Sequence, residues 1–404
     1  MKISGIITEY NPMHNGHLYH IEKTKEITNS DGIICVMSGN FVQRGIPAIM
    51  DKWTRTKIAL NNGVDLVLEL PVIYSTSSAE FFAYGSISLL NSLNNVDNIV
   101  FGSELGSVET IQNISNLLTN ESKLFKEKLS NYLVQGISYP KARSLAFTEL
   151  YKNQFKEDLS NIMNSSNNIL GIEYCKSLNK LNSKIIPRTI TRQGSSYNEK
   201  SITGYYSSAT SIRNHLYNKG EIDDISNFLP ADTVKEMKEF QLEGCDFPFV
   251  DDFYKYIKYK FLSSSGRIQN LPDVSEGINN RITKALHSSS NYENLVNNIK
   301  SKRYTRTRIN RILCQYLIGF DTFNTSKLRK EACPYARILG FNKVGRKILK
   351  NLKNSSDIPL ITKVPRKIDN NILSLDIQAT GVYSLFNKSI KPNSDYIKSP
   401  IIIE

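Results

Sequence analysis

The first hundred residues of the chain switch between two hydrophobic periods. Short runs that are apolar at nearly every position, ISGIIT (3–8), GIICVMS (32–38), VDLVLELP (64–71) and VDNIVFGSE (96–104), read as strands. Between them HLYHIEKTKEI (17–27), DKWTRTKIALNNG (51–63) and SSAEFFAYGSISLLNSL (77–93) carry apolar residues at helical spacing. Asp51 is placed to cap the second helix and Gly63 to end it. Strands that are apolar on both faces need a sheet covered on both sides, and strand–helix alternation joins such strands by right-handed crossovers. The pattern predicts an α/β fold built on a doubly wound, Rossmann-like parallel sheet.

From about 106 to 180 the periodicity is helical, and KIIPRTITR (184–192) reads as one more strand returning to the sheet. SATSIRNHLYNKG (208–220) is a short helix with a Ser/Thr start and a glycine stop. Beyond 225 the strand signals thin out. DDFYKYIKYKFL, EGINNRITKALH and RTRINRILCQYLIG each predict an amphipathic helix, and 335–404 mixes a basic helix with short β-branched runs. This divides the chain into an α/β domain over 1–224 and a mostly helical region over 225–404.

Composition adds a direction. Lys and Arg total 51 against 38 Asp and Glu, a formal charge of +13. Such an excess favours a polyanionic partner, although it also serves solubility. The five cysteines are scattered without a C-x-x-C pair, which predicts reduced thiols rather than a zinc or disulfide framework. The start MKISGIITEY lacks the form of a signal peptide, and no run approaches the roughly 18 apolar residues of a membrane span. A cytoplasmic protein with no membrane partner is expected.

The chemistry concentrates in EYNPMHNGH (9–17), just after the first strand. Ligands of doubly wound sheets sit beyond the carboxyl ends of the strands. A helix starting near His17 presents unpaired backbone N–H groups there, which favour anions. His14 and His17 flank Gly16, and two imidazoles can donate hydrogen bonds to a phosphate as charge develops on it. The bare H-x-G-H spacing arises by chance, and a turn with a solvated histidine pair is the plain alternative. Its place in the first turn resembles the nucleotidyltransferase superfamily that includes the class I aminoacyl-tRNA synthetase cores. SSATSIR (207–213) resembles the S-x-T-x-x-R element of small adenylyltransferases, with Ser208, Thr210 and Arg213 in the phosphate-binding roles. In MSGNFVQRG (37–45) Gln43 and Arg44 suit a polar loop over the site, and Arg44 is a candidate to orient a small carboxylate, a solvated loop arginine being its rival. Gly102, in FGSE, allows close approach of a ribose or base, or simply makes a turn.

Together GIITEYNPMHNGHLYH, MSGNFVQRGIPAI, KWTRTKIALNNGVDLVLELP, FGSE, NNILGIEYCKSL, SATSIR and KRYTRTRINRIL resemble the tRNA(Met) cytidine acetate ligase family, in order from residue 1 to about 340. The resemblance implies ATP-dependent acetylation of the wobble cytidine of elongator tRNA(Met). Acetate becomes acetyl-adenylate with release of pyrophosphate, and the cytidine N4 then takes the acetyl group to give N4-acetylcytidine. It implies an ATP-binding loop of Ile7, Thr8, Glu9, Tyr10, Asn11, Pro12, Met13, His14, Asn15, Gly16, His17, Leu18, Tyr19 and His20, with His14 and His17 catalytic. Further ATP contacts implied are Gly102, Asn167 or Asn168, and Arg192, with Arg188 as the alternative in a loose alignment. Met13 stands where the family usually has phenylalanine. Mg²⁺ is expected to accompany the triphosphate, although the sequence holds no evident carboxylate cage for it.

KSKRYTRTRINRILCQYL (300–317) is the densest basic run. Arg303, Arg306, Arg308 and Arg311 spread over a broad helix face with Tyr304 among them, suited to tracking RNA phosphates and stacking an unpaired base. A solvated charged face is the alternative, and KVGRKILKNLK (343–353) is a second candidate. DNA is not an expected partner. Two rival functions remain: an adenylyltransferase acting on a small phosphate or carboxylate substrate without RNA, and an RNA-binding protein with a vestigial nucleotide site.

Overall fold

In a computed structural model that describes residues 1–192, 207–263, 267–387 and 390–404, the predicted strands become the middle of one sheet. β1 (Ile3–Thr8) leads to α1 (Asn15–Thr28), β2 (Gly32–Ser38) and a hairpin of β3 (Phe41–Val42) and β4 (Ile46–Pro47). Then follow α2 (Lys52–Asn61), β5 (Leu66–Leu70), the single turn α3 (Val72–Ser75), α4 (Ala79–Asn91) and β6 (Asn98–Ser103). A helical stretch of α5 (Val108–Thr119), α6 (Lys123–Val134), α7 (Tyr139–Tyr151), α8 (Leu159–Asn164) and α9 (Ser166–Lys180) precedes β7 (Ile186–Thr191). After α10 (Ala209–Tyr217) the chain is helical through α11 (Ala231–Leu242), α12 (Phe253–Ser263), α13 (Ile278–Ser288), α14 (Tyr292–Ile299), α15 (Arg306–Ile318) and α16 (Thr325–Leu328). It closes with β8 (Ala336–Phe341), α17 (Lys343–Ser355), β9 (Leu360–Ile361), α18 (Asn371–Tyr383), α19 (Ser394–Ile397) and β10 (Ile401–Ile402).

The strand order is β10-β8-β5-β2-β1-β6-β7, with β9 beside β8. All neighbours are parallel except β5 and β8. Every residue of β2 and β5 is buried, because the sheet is covered on both faces. Alternate residues go to different cores: Ile34, Val36, Leu66 and Leu68 pack on one face, and Ile33, Cys35, Met37 and Val67 on the other. The mostly helical region after 225 also returns strands to this sheet, so strands of one sheet lie on both sides of that boundary. The join is ionic as well as hydrogen-bonded. Buried Lys52 sits 2.7 Å from Glu69 and 2.8 Å from Asp395, and Arg337 of β8 sits 2.7 Å from Asp395 and 3.4 Å from Glu69.

One asymmetry positions the site. β1 pairs with β2 along its whole length, from Ile3 opposite Gly32 to Thr8 opposite Met37. With β6 it pairs only at Ser4 and Gly5. The two strands therefore splay toward their carboxyl ends, at the point where the strand order reverses about β1. The His20 ring of α1 enters this gap, its Nε2 3.1 Å from the Val100 carbonyl that strand pairing leaves unused. No helix among the described residues is long and apolar enough to cross a membrane.

Candidate active site

The turn after β1 is built around its two histidines. His14 is the N-cap of α1, and its Nδ1 accepts the backbone N–H of Gly16 at 3.1 Å. His17 Nδ1 reaches back to accept the N–H of His14 at 3.2 Å. This is a reciprocal capping box made with imidazoles. Gly16 makes it possible, since a Cβ there would lie 2.9 Å from His14 Cε1. Because Nδ1 of each ring accepts, the proton of each neutral ring is on Nε2. The rings stack at 3.8 Å between centroids, and Tyr10 meets His17 edge-on at 5.1 Å.

The rings are also kept neutral. Burial, then the nearby Arg192 and Arg213, hold His14 down to about 3. Burial, followed by His14 and Arg192, holds His17 well below the usual imidazole range. His20 is lowered to about 4, mainly by burial. With the Val100 carbonyl as acceptor, the His20 proton is on Nε2 and points into the sheet. Near neutral pH the turn thus offers uncharged N–H donors, which strengthen as negative charge develops on a bound phosphate.

The cleft between the splayed strands gathers most of the residues expected from the sequence. Ile7, Thr8, Glu9, Tyr10, Asn11, His14, Gly16, His17, Tyr19, His20, Arg44, Gly102, Asn167, Arg192, Ser208, Thr210 and Arg213 line it. Pro12, Met13, Asn15, Leu18 and Asn168 do not. Met13 is core, Asn15 Nδ2 donates to the Asn227 carbonyl at 2.9 Å, and Leu18 packs on the apolar cluster beneath α1. Asn168 Oδ1 accepts the N–H of Leu105 at 3.1 Å, which turns it away from the cleft. Its neighbour Asn167 accepts from Arg192 Nη1 at 3.3 Å. Sequence alone leaves Arg188 and Arg192 interchangeable. In the structure Arg188 Nε is 3.1 Å from Asn98 Oδ1, away from the cleft, and Arg192 lines it. The atom nearest to a Cβ on Gly102 would be Arg192 Cγ at 3.2 Å, so this glycine makes room for the arginine stem.

α10 begins as its motif predicts, with Ser208 as N-cap accepting the N–H of Ser211 at 3.1 Å. Arg213, one turn in, donates to the Asn11 carbonyl at 2.6 Å and to Thr210 Oγ1 at 3.3 Å, joining the two motifs. Glu9 is half-buried, and desolvation raises its pKa; its carboxylate accepts the N–H of Gln43 at 2.7 Å. Beneath them Arg55 is fully buried and donates to the carbonyls of Glu9 (2.6 Å), Ser38 (3.0 Å), Met50 (3.0 Å) and Gly39. It ties the ends of β1 and β2 together. Its only sequence signal is a charge on the otherwise buried face of KWTRTKIAL. Gln43 lines the cleft beside Arg44, as the loop reading of MSGNFVQRG suggests, and Phe82 and Tyr174 line it without any sequence signal.

The basic helix needs correction. Tyr304 is only 6% exposed and its hydroxyl donates to the Glu276 carbonyl, so the ring has no open face for a base. Arg308 is engaged by the Asp273 carbonyl, Ser275 and Glu276, and Arg311 pairs with Asp273 at 3.3 Å. Arg303 is half-buried, and Arg306 is exposed with Glu293 as its partner. On α17, Lys343, Arg346, Lys347, Lys350 and Lys353 are exposed, and none forms an ion pair among the described residues. That helix crosses the amino-terminal ends of β2 and β5, the far end of the sheet from the cleft. All five cysteines are buried free thiols. No group of three or more His, Cys, Asp or Glu side chains among the described residues could hold a metal ion.

Residues 1–396 match the family model described as HIGH Nucleotidyl Transferase. The chain is 55% identical over 405 residues to the tRNA(Met) cytidine acetate ligase of Clostridium tetani, and each chain is covered in full. It is 54% identical over 404 residues to that of Clostridium novyi, again with full coverage of both. Among solved structures it is similar to Thermotoga maritima TmcAL in its apo form (TM-score 0.93, 32% identity, all of both chains). It is also similar to the same protein bound with alpha-thio ATP (TM-score 0.90, 32% identity, 100% of this chain and 99% of the other).

Proposed function

The chain belongs to the HIGH nucleotidyl transferase family, among the tRNA(Met) cytidine acetate ligases, and from that premise we propose that it joins acetate to the wobble cytidine of elongator tRNA(Met) at the expense of ATP. The observation that carries this reading is the pair of stacked, neutral imidazoles at the mouth of the splayed strands, with Arg192 and Arg213 lining the same cleft. In the first step an acetate oxygen attacks the α-phosphorus and pyrophosphate leaves. Acetate is already ionised at neutral pH, so the step needs no general base. It needs the reactants in line and donors for the charge that grows on the phosphate oxygens. The Nε2–H groups of His14 and His17 are those donors. Being uncharged, they gain strength mainly as the charge develops, which favours the transition state over bound ATP. Arg192, Arg213, Ser208 and Thr210 hold the phosphates, and Arg44 orients the acetate. In the second step the cytidine N4 attacks the acetyl carbonyl and AMP leaves.

Mg²⁺ neutralises phosphate charge when bound with ATP. The side chains of the described residues form no carboxylate cage for it, so phosphate oxygens and water would be its ligands. The region after 225 receives the tRNA through Arg303, Arg306 and the exposed cations of α17, the latter meeting a part of the molecule distant from the wobble base. The setting is the cytoplasm. The test is acetate-dependent ATP–pyrophosphate exchange, followed by transfer of labelled acetate to elongator tRNA(Met). Exchange that ignores acetate, or exchange that labels no RNA, would overturn the reading. Adenylylation of a small phosphate compound instead would favour an adenylyltransferase that works without RNA.

A further inference from the structure

The β3–β4 hairpin brings two kinds of side chain to the cleft. Gln43 and Arg44 stand at its turn, and Val42 and Ile46 on its strands; Phe82 of α4 lines the same space. The hairpin is held from several directions. Its turn closes with Gly45 N donating to the Val42 carbonyl at 2.9 Å. Gln43 N is fixed to Glu9 at 2.7 Å, and Ser75 Oγ donates to the Phe41 carbonyl at 3.0 Å. Gly45 has a φ of +69° and lies against α15, where a Cβ would fall 2.4 Å from Arg311 N. This backbone cannot retreat to admit a larger ligand.

Within this rigid frame Gln43 Nε2 is sealed from water and has no hydrogen-bond partner among the described residues. A buried amide donor left unpaired is costly, and native structures keep few without a reason. The terminal amide torsion is also the softest in the side chain. Turning it brings the donor into the cleft that Gln43 lines. The apolar neighbours Val42, Ile46 and Phe82 leave a polar ligand there only a short hydrocarbon part to bury.

Resting on the ligase reading, we propose that this hairpin and Phe82 form the acyl-acid subsite. Gln43 donates to the carboxylate oxygen that stays on carbon, and Val42, Ile46 and Phe82 limit the acid to a single methyl group. One carboxylate oxygen forms the new bond to the α-phosphorus, and the bond from that phosphorus to the β-bridging oxygen breaks, pyrophosphate keeping the electron pair. The oxygen held by Gln43 becomes the carbonyl oxygen of the acyl-adenylate. When the cytidine N4 adds to the carbonyl carbon, that oxygen takes up the electron pair. Collapse expels AMP, and N4 gives its proton to water. The same donor serves both steps and meets its largest charge in the second.

The test measures ATP–pyrophosphate exchange by the full-length protein with acetate, propionate and butyrate. The wild type is expected to lose about tenfold or more in kcat/KM for each added methylene. Gln43→Met, which keeps the volume and removes the donor, is expected to raise the KM for acetate roughly 10- to 100-fold with little change in the KM for ATP. Ile46→Ala and Phe82→Ala, each made separately, are expected to raise propionate relative to acetate about tenfold or more. An unchanged acetate KM in Gln43→Met, or unchanged acid selectivity in both alanine variants, overturns the subsite. Wild-type protein giving no exchange with any acid strikes the ligase reading instead.

Discussion

The turn at 9–17 and the start of α15 both concentrate groups that could bind phosphate, yet the protein treats them in opposite ways. Around His14 and His17 burial removes the charge and leaves N–H donors with no acid beside them to take up the bond. Along α15, Glu276 and Asp273 already occupy the guanidinium groups of Arg308 and Arg311, and of its arginines only Arg306 is exposed. The first arrangement is poised for a ligand; most of the second is committed to holding helices together. A cluster of binding-type residues therefore says little until its internal partners are known.

The comparison can be pressed hardest at Tyr304. If its ring is structural, Tyr304→Ala costs about 3–5 kcal/mol in urea unfolding. Tyr304→Phe then costs only about 1 kcal/mol and leaves tRNA affinity unchanged within about twofold. A stable Tyr304→Ala protein with weakened tRNA binding would restore the stacking role. At the other region, His17→Ala is expected to lower acetate-dependent exchange about 10²- to 10³-fold, with tRNA affinity nearly intact in filter binding.

The neutral imidazoles also leave a mark on stability. The folded-state pKa values of His14 and His20, about 3 and about 4, lie below an unfolded value near 6.5. Between pH 6.5 and 4 the unfolded chain binds protons that the folded protein refuses, so stability falls as the pH falls. Each such histidine contributes about 1.4 kcal/mol per pH unit in that window. His20→Gln is therefore expected to shrink the loss between pH 7 and pH 5 by about 2 kcal/mol, read from urea midpoints at the two pH values. An unaltered difference would mean that His20 is protonated in the folded state. The smallest effect belongs to Arg306, the most exposed of the α15 arginines. Arg306→Ala is expected to weaken tRNA binding a few-fold and lower its salt slope by roughly 1, and Lys347→Ala with Lys350→Ala by roughly 2. Equal losses for Arg308→Ala would break the distinction between committed and available cations.

Much of this was legible in the chain because it rests on local rules. The buried strands announce themselves by β-branched runs, and Asp51 and Ser208 by their place before helical periods. The H-x-G-H turn is local too, since its capping box spans four residues. What escaped depends on distant partners. β3 and β4 have two residues each, too short to show a period of two. β8 joins the sheet antiparallel, held partly by buried ions from Lys52 to Asp395, and no neighbouring residue signals that pairing. Tyr304 reads in sequence as a ring free to stack, and only the Glu276 carbonyl and the Arg308 guanidinium that meet it in the fold show it enclosed. Phe82 and Tyr174 carry no pattern because a cleft wall is assembled from side chains far apart along the chain.

The bare backbone at Gly45 has a mechanical outcome. The strip from 41 to 47 belongs to two neighbourhoods, one margin facing the small-molecule chamber and its tip resting on the main chain of Asn310 and Arg311. Packed main chain transmits displacement with little give. A nudge of the helix that carries those two residues is thus delivered, nearly undiminished, to the wall of that chamber.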